Sequence, residues 1–210
     1  MIKNKKKTCA LLVSLLVVAL VAVVLTANIF TIFRIKSTGV SLKPTKAIES
    51  FGVTYYLQND PKWSADKLGD STETMGGAGC LVTSITTAMD YHGIKYTPQE
   101  VNDIFVKSDV FDENGQVIWV NIKNAVPEID YKYDRVFSTK TIENLLDEGL
   151  LPIIKVRYKG TGIYHWVVVV GSDDTDFFVM DPLNQDKIPI KLSEHGGKAY
   201  AYRVLVHSLT

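Results

Sequence analysis

The sequence predicts an α+β domain carried behind one membrane-spanning helix. Three features point there: an uncharged apolar run near the N-terminus, helical patterning from Cys80 to Gly149, and β-branched or aromatic runs from Leu150 onward. The runs "LLPIIKVRY", "YHWVVVVG", "DFFVMDP", "KIPIKL" and "YAYRVLVHSL" are separated by Gly, Asp and Asn. Short turns such as "GSDDTD" between neighbours favour hairpins and so an antiparallel sheet. A helical first half must then pack against a sheet built from the second half.

The chain opens "MIKNKKKTCALLVSLLVVALVAVVLTANIFTIFRIKS", in which four lysines precede an apolar stretch from Cys9 to Phe33 that carries no charge. Roughly 25 residues at ~1.5 Å rise each are enough to cross a hydrocarbon core. A secretory signal has a shorter apolar centre and ends at a small-x-small cleavage site. Here "LTA" places Leu25 where a small residue is required, and the run continues through Ile29, Phe30, Ile32 and Phe33. An uncleaved signal anchor is therefore expected over 9–33. Lysines 3, 5, 6 and 7 outnumber Arg34 and Lys36, which keeps residues 1–8 in the cytoplasm and the rest outside, on a single-pass cell-membrane protein.

Formal net charge is zero, but six of the 23 basic residues lie at or before Lys36 and the first acidic residue is Glu49. The exterior part holds 17 basic against 23 acidic residues, a net of −6. That balance, with no basic stripe in the sequence, argues against nucleic acid as a partner. Residues 34–50, with Pro44 and no regular periodicity, read as a linker. Residues 51–210 form one domain of ordinary size.

Within that domain Leu81, Ile85, Ala88 and Met89 fall at helical spacing up to a stop at Gly93. "TPQEVNDIF" opens a second helix, with Thr97 as N-cap, Pro98 as first helical residue and Glu100 closing a capping box. "DENG" is a turn, "VIWVNIKNAV" a third helix, and "STKTIENLLDEG" a fourth between Ser138 or Thr139 and Gly149.

Chemistry concentrates at three positions. Cys80 follows "GGAG" and opens a helix, where the dipole and free amides favour a thiolate, and it has no second cysteine in the exterior domain. An exterior thiol without a partner is uncommon. Its alternative is a small buried apolar residue. His165 begins one apolar strand and Asp181 ends the next, so a hairpin brings them together and the carboxylate can fix the imidazole tautomer. Alone, each is an ordinary structural His or turn Asp. Together with a thiol they compose the parts of nucleophilic catalysis.

"YYLQNDPKWSADKLG", "GGAGCLVTSITTAMDYHG", "GLLPIIKV", "HWVVVVG" and "VMDP" together resemble the stand-alone, papain-like relatives of family thirty-nine of the cysteine peptidases. The best-known members of that family trim double-glycine leaders from bacteriocins. The resemblance runs from Val53 to about Val206 and implies a papain-like fold with Cys80 as nucleophile, His165 as general base and Asp181 as orienting acid. It also implies that Gln58 helps bind the oxyanion, although in the leader-trimming enzymes that Gln lies only a few residues before the Cys. No transporter portion follows the domain here, so leader peptides are not carried over as substrate.

The expectation is thus an extracytoplasmic cysteine peptidase acting on a peptide or cell-wall peptide, with no cofactor. The alternatives are a non-catalytic surface binding module on the same fold, and a cell-wall peptide amidase or transferase. His92 reads as a structural residue at a helix C-terminus. His195 and His207 stand far in sequence from any second His or Cys at metal-ligand spacing, and no zinc motif is present. "DVFDENGQ" lacks the first ligand of a calcium loop, since Val110 occupies that place. Trp63, Trp119 and Trp166 read as core, with Trp166 able to shield His165 from water.

Overall fold

A computed structural model describes residues 2–208. The side chains of residues 2–14, including the lysine cluster and Cys9, lie outside the described residues. The chain falls into two units, divided after Thr38. The first is a single helix, α1 (Ile2–Thr38), apolar on every side from Leu15 to Phe33. Its segment Leu15–Thr38 contains an 18-residue window of mean hydropathy 2.7 and is long and apolar enough to cross a membrane.

The second unit begins with β1 (Val40–Ser41) and continues through α2 (Met75–Ala78), α3 (Cys80–Tyr91) and α4 (Pro98–Lys107). A 3-10 turn at Trp119–Asn121 leads into the single turn α5 (Ile122–Ala125), then β2 (Ile129–Lys132) and α6 (Thr139–Asp147). The strands β3 (Pro152–Arg157), β4 (Tyr164–Ser172), β5 (Phe177–Met180), β6 (Ile190–Lys191), β7 (Lys198–Ala199) and β8 (Ala201–His207) follow. Six of them form one antiparallel sheet in the order β2-β8-β3-β4-β5-β6, and β1 pairs with β7 apart from it.

Local chemistry sets the helix limits. Thr97 caps α4, its hydroxyl accepting from the Glu100 amide while the Glu100 carboxylate accepts from the Thr97 amide. Ser138 opens α6 with Thr141 in the reciprocal role. The stretch "VIWVNIKNAV" is not one helix as expected but a 3-10 turn, Trp119–Asn121, followed by one α turn, Ile122–Ala125.

The sheet is covered on both sides, which explains the unbroken "VVVV" run. Ile153, Val168, Val170, Met180 and Leu205 join Val82, Ile85, Met89, Val101 and Phe105 of α3 and α4 in one core. The alternate residues Ile154, Val156, Val167, Val169 and Val204 are buried on the opposite face, where α6 packs on β3 and Phe137 meets Tyr202 at 5.3 Å between ring centroids. β2 and the β1–β7 pair were not expected from the sequence. Both are short.

The stretch read as a linker departs from that reading between Val40 and Ile48. Val40 and Ser41 pair with Ala199 and Lys198, Leu42 is buried, and Thr45 donates from amide and hydroxyl to Glu143 on α6. Ile48 then bridges Ser172. A bulge in β4 beside Gly171 makes room for it: a Cβ there would lie 2.7 Å from the Ser50 Cα and 2.9 Å from the Ile48 carbonyl oxygen.

Candidate active site

Cys80 is the first residue of α3, immediately after a short break from α2 at Gly79. The break requires glycine, since a Cβ at position 79 would stand 2.5 Å from the Met75 carbonyl oxygen. The turn aims the Cys80 side chain to the mouth of a cleft of about 630 Å³. The residue is 8% exposed, with Sγ 3.9 Å from the Ala78 carbonyl oxygen.

Across the cleft, His165 is the second residue of β4, and the β4–β5 hairpin carries Asp181 back beside it, as Val168 pairs with Met180. His165 Nε2 lies 2.6 Å from Asp181 Oδ1, and the ring shares the cleft with the Cys80 side chain, which interacts with it. With Nε2 held by the carboxylate, Nδ1 is the nitrogen left for the thiol. Both His165 and Asp181 are 3% exposed. Burial by itself lowers the His165 pKa. The hydrogen bonds and charges of Asp181 and Cys80 outweigh it and raise the imidazole to about 9. Burial raises the Asp181 carboxyl, but the hydrogen bonds from His165 and the Leu183 amide, with the His195 ring close by, hold it well below the usual carboxylate range.

Gln58, 2% exposed, reaches the same cleft despite its distance in sequence, because its backbone amide donates to the Pro182 carbonyl just past Asp181. Its side-chain Nε2 donates to the Gly76 carbonyl at 2.9 Å, leaving one amide proton uncommitted there. The four residues named from the sequence therefore converge on one place. Trp119 and Trp166 also line the cleft, with Lys155 and Glu73, whereas Trp63 is core and donates to the Leu57 carbonyl.

The sequence reading missed His195. It is 2% exposed, and its Nδ1 accepts from the Lys159 amide at 3.1 Å, so Nε2 bears the proton. That atom sits 3.2 Å from Asp181 Oδ2, off the line of a good hydrogen bond, and has no other partner. Asp181 thus stands between two buried imidazoles. His195 and His165 face the two oxygens of the one Asp181 carboxylate, a link that sequence spacing does not reveal; no cluster able to hold a metal occurs among the described residues. "DVFDENGQ" is a turn closed by the Asn114 and Gln116 amides on Asp112, and "GSDDTD" is closed on Asp173 in the same way.

Comparison with known proteins agrees with this architecture. No curated protein matches the chain. A crystal structure of a candidate C39-like peptidase from Bacillus anthracis superposes with a TM-score of 0.54 at 14% identity, over 79% of this chain and 100% of that one. At that identity the likeness speaks for the fold alone. The model of the Peptidase_C39 like family matches residues 51–204, which takes in Gln58, Cys80, His165 and Asp181. On the extent of that match, the chain belongs to the Peptidase_C39 like family.

Proposed function

We propose that the protein is a membrane-anchored, extracytoplasmic cysteine peptidase, acting on peptide or related amide bonds through Cys80, His165 and Asp181. The observation that carries this reading is the His165 ring, bonded through Nε2 to Asp181 and lining one cleft with Cys80. Cys80 Sγ, its proton already held on His165 Nδ1, attacks the acyl carbonyl carbon, and the tetrahedral intermediate collapses as His165 gives that proton to the leaving amine. Water, deprotonated by His165, then cleaves the thioester, releasing the acid and restoring Cys80 with the proton again on His165. The Cys80 amide and the second Nε2 proton of Gln58 stabilise the oxyanion. Asp181 keeps the imidazole in the tautomer that faces Cys80, and His195 steadies Asp181 from behind. The apolar α1 anchors the domain on the exterior side.

The test is covalent labelling of the full chain in nonionic detergent micelles by a peptidyl chloromethyl ketone, read by intact mass. One adduct on the native protein and none on a folded Cys80→Ala variant is the expected result. An equal adduct on Cys80→Ala, or none on the folded native protein, overturns the peptidase reading and leaves a binding module.

A further inference from the structure

Lys155 lines the cleft next to Cys80, and two further cations neighbour it on the sheet. Lys155 and Arg157 are two apart on β3 and so share a face, and Arg203 on β8 pairs with Ile153, diagonal to Lys155. None of the three has a carboxylate within 4.0 Å among the described residues; the ion pairs of the domain are made elsewhere. Aromatic rings take their place. Lys155 Nζ stands 4.1 Å from the Tyr164 ring centroid and 5.9 Å from that of Trp166. The Arg157 guanidinium lies 4.0 Å from Tyr164, and that of Arg203 lies 4.2 Å from Tyr133 and 5.4 Å from Trp119. Arg157 also donates to the Gly162 carbonyl and Arg203 to the Tyr202 carbonyl, while Arg203 Nε is buried with no partner.

We propose that Lys155, backed by Arg157 and Arg203, recognises a carboxylate on the substrate, so that the cleft selects acidic peptides; this rests on the cleft being the substrate site. One lysine lying over a tyrosine is ordinary. Three half-buried cations side by side repel one another. Burial lowers the Lys155 pKa; the Cys80 charge opposes that and the two arginines add to it. The domain has an excess of acidic residues, yet none compensates this row; Glu73 lines the same cleft without pairing to it. An incoming carboxylate relieves the repulsion and gains charge-assisted hydrogen bonds in a partly desolvated site. A nucleic acid would also meet cations and rings here, but the net charge of −6 opposes an extended polyanion. A short acidic peptide places its charge only where the cations are.

The test uses full-chain Cys80→Ala protein in nonionic micelles, so that binding is read apart from catalysis. Acetyl-tetraglutamate amide and acetyl-tetraglutamine amide are titrated at low ionic strength and followed by tryptophan fluorescence, with calorimetry as a second readout. The acidic peptide is expected to bind about tenfold tighter, as one charge-assisted contact implies. The preference falls to about threefold or less in Lys155→Met and in Arg203→Gln, and shrinks as salt is added. Should Lys155→Met not fold, Arg203→Gln and Arg157→Gln carry the comparison. Equal binding of the two peptides, a preference untouched in the variants, or tighter binding of an oligothymidylate of the same charge overturns the proposal. Because no bond is cleaved, failure of covalent labelling and failure of this preference are separate outcomes.

Discussion

Asp181→Asn exchanges one carboxylate oxygen for an NH₂ group and removes the charge against His165, with little change of volume. In the native protein the imidazole is raised from an ordinary 6.5 to about 9, and burial alone would have moved it the other way. A rise of that size corresponds to roughly 3 kcal/mol favouring the folded state, since each pK unit is ~1.4 kcal/mol. Because the folded value lies above the unfolded one, this stabilisation is complete below pH 6.5 and is lost as pH climbs through about 9. The asparagine removes most of it, bringing the His165 midpoint down by roughly 2 units and costing about 3 kcal/mol near pH 6, with a much smaller cost above pH 9. Two-dimensional NMR of histidine-labelled full chain in micelles, with His165 assigned by substitution, follows the ring through the titration. Denaturation at pH 6 and pH 10 supplies the energetic half. A His165 midpoint that moves by less than about half a unit, or a cost as large at pH 10 as at pH 6, refutes the argument that Asp181 holds the proton on His165.

Two further outcomes follow from the same geometry. In His195→Phe, Asp181 loses the N–H beside its second oxygen and becomes a stronger base; the His165 midpoint rises by about one unit and labelling slows about tenfold, while His195→Gln, which keeps an N–H donor, restores most of both. An unchanged NMR titration in His195→Phe removes His195 from the mechanism. Gln58→Ala slows chloromethyl ketone labelling about 100-fold with the Cys80 adduct still forming, as expected for one oxyanion donor. A labelling rate within about threefold of native confines Gln58 to holding Gly76.

What the sequence made legible is what depends on neighbours in the chain. Thr97 with Glu100 specifies its helix start within four residues and caps as read, and of Ser138 and Thr139, the two residues offered for the start of α6, Ser138 is the cap. The His165–Asp181 contact was readable for the same reason, because a hairpin is the shortest way to join two adjacent strands and its geometry forces their outer ends together. Elements that exist only through distant pairing left no such trace. β2 is four residues long and is a strand because β8, far along the chain, offers it an edge; β1 is two residues held by β7. The docking of residues 40–48 depends on Glu143 and on a bulge at Gly171, neither of which marks the linker itself.

The same distinction governs the site. Gln58 was placed by resemblance, and its approach to Cys80 rests on an amide bonded to Pro182, a contact that no local pattern encodes. His195 lies on a glycine-flanked turn whose sequence says only that the chain bends, and it acquires a chemical context when Lys159 and Asp181 close around it. The linear sequence holds no basic stripe, yet three cations meet in the fold. Lys155, Arg157 and Arg203 come together because β3 runs beside β8, and alternate residues of a strand share a face. A strand thus conceals a charge cluster from inspection: every second residue belongs to the opposite face, so Val156 is buried on one face while Lys155 and Arg157, its neighbours in the chain, share the other.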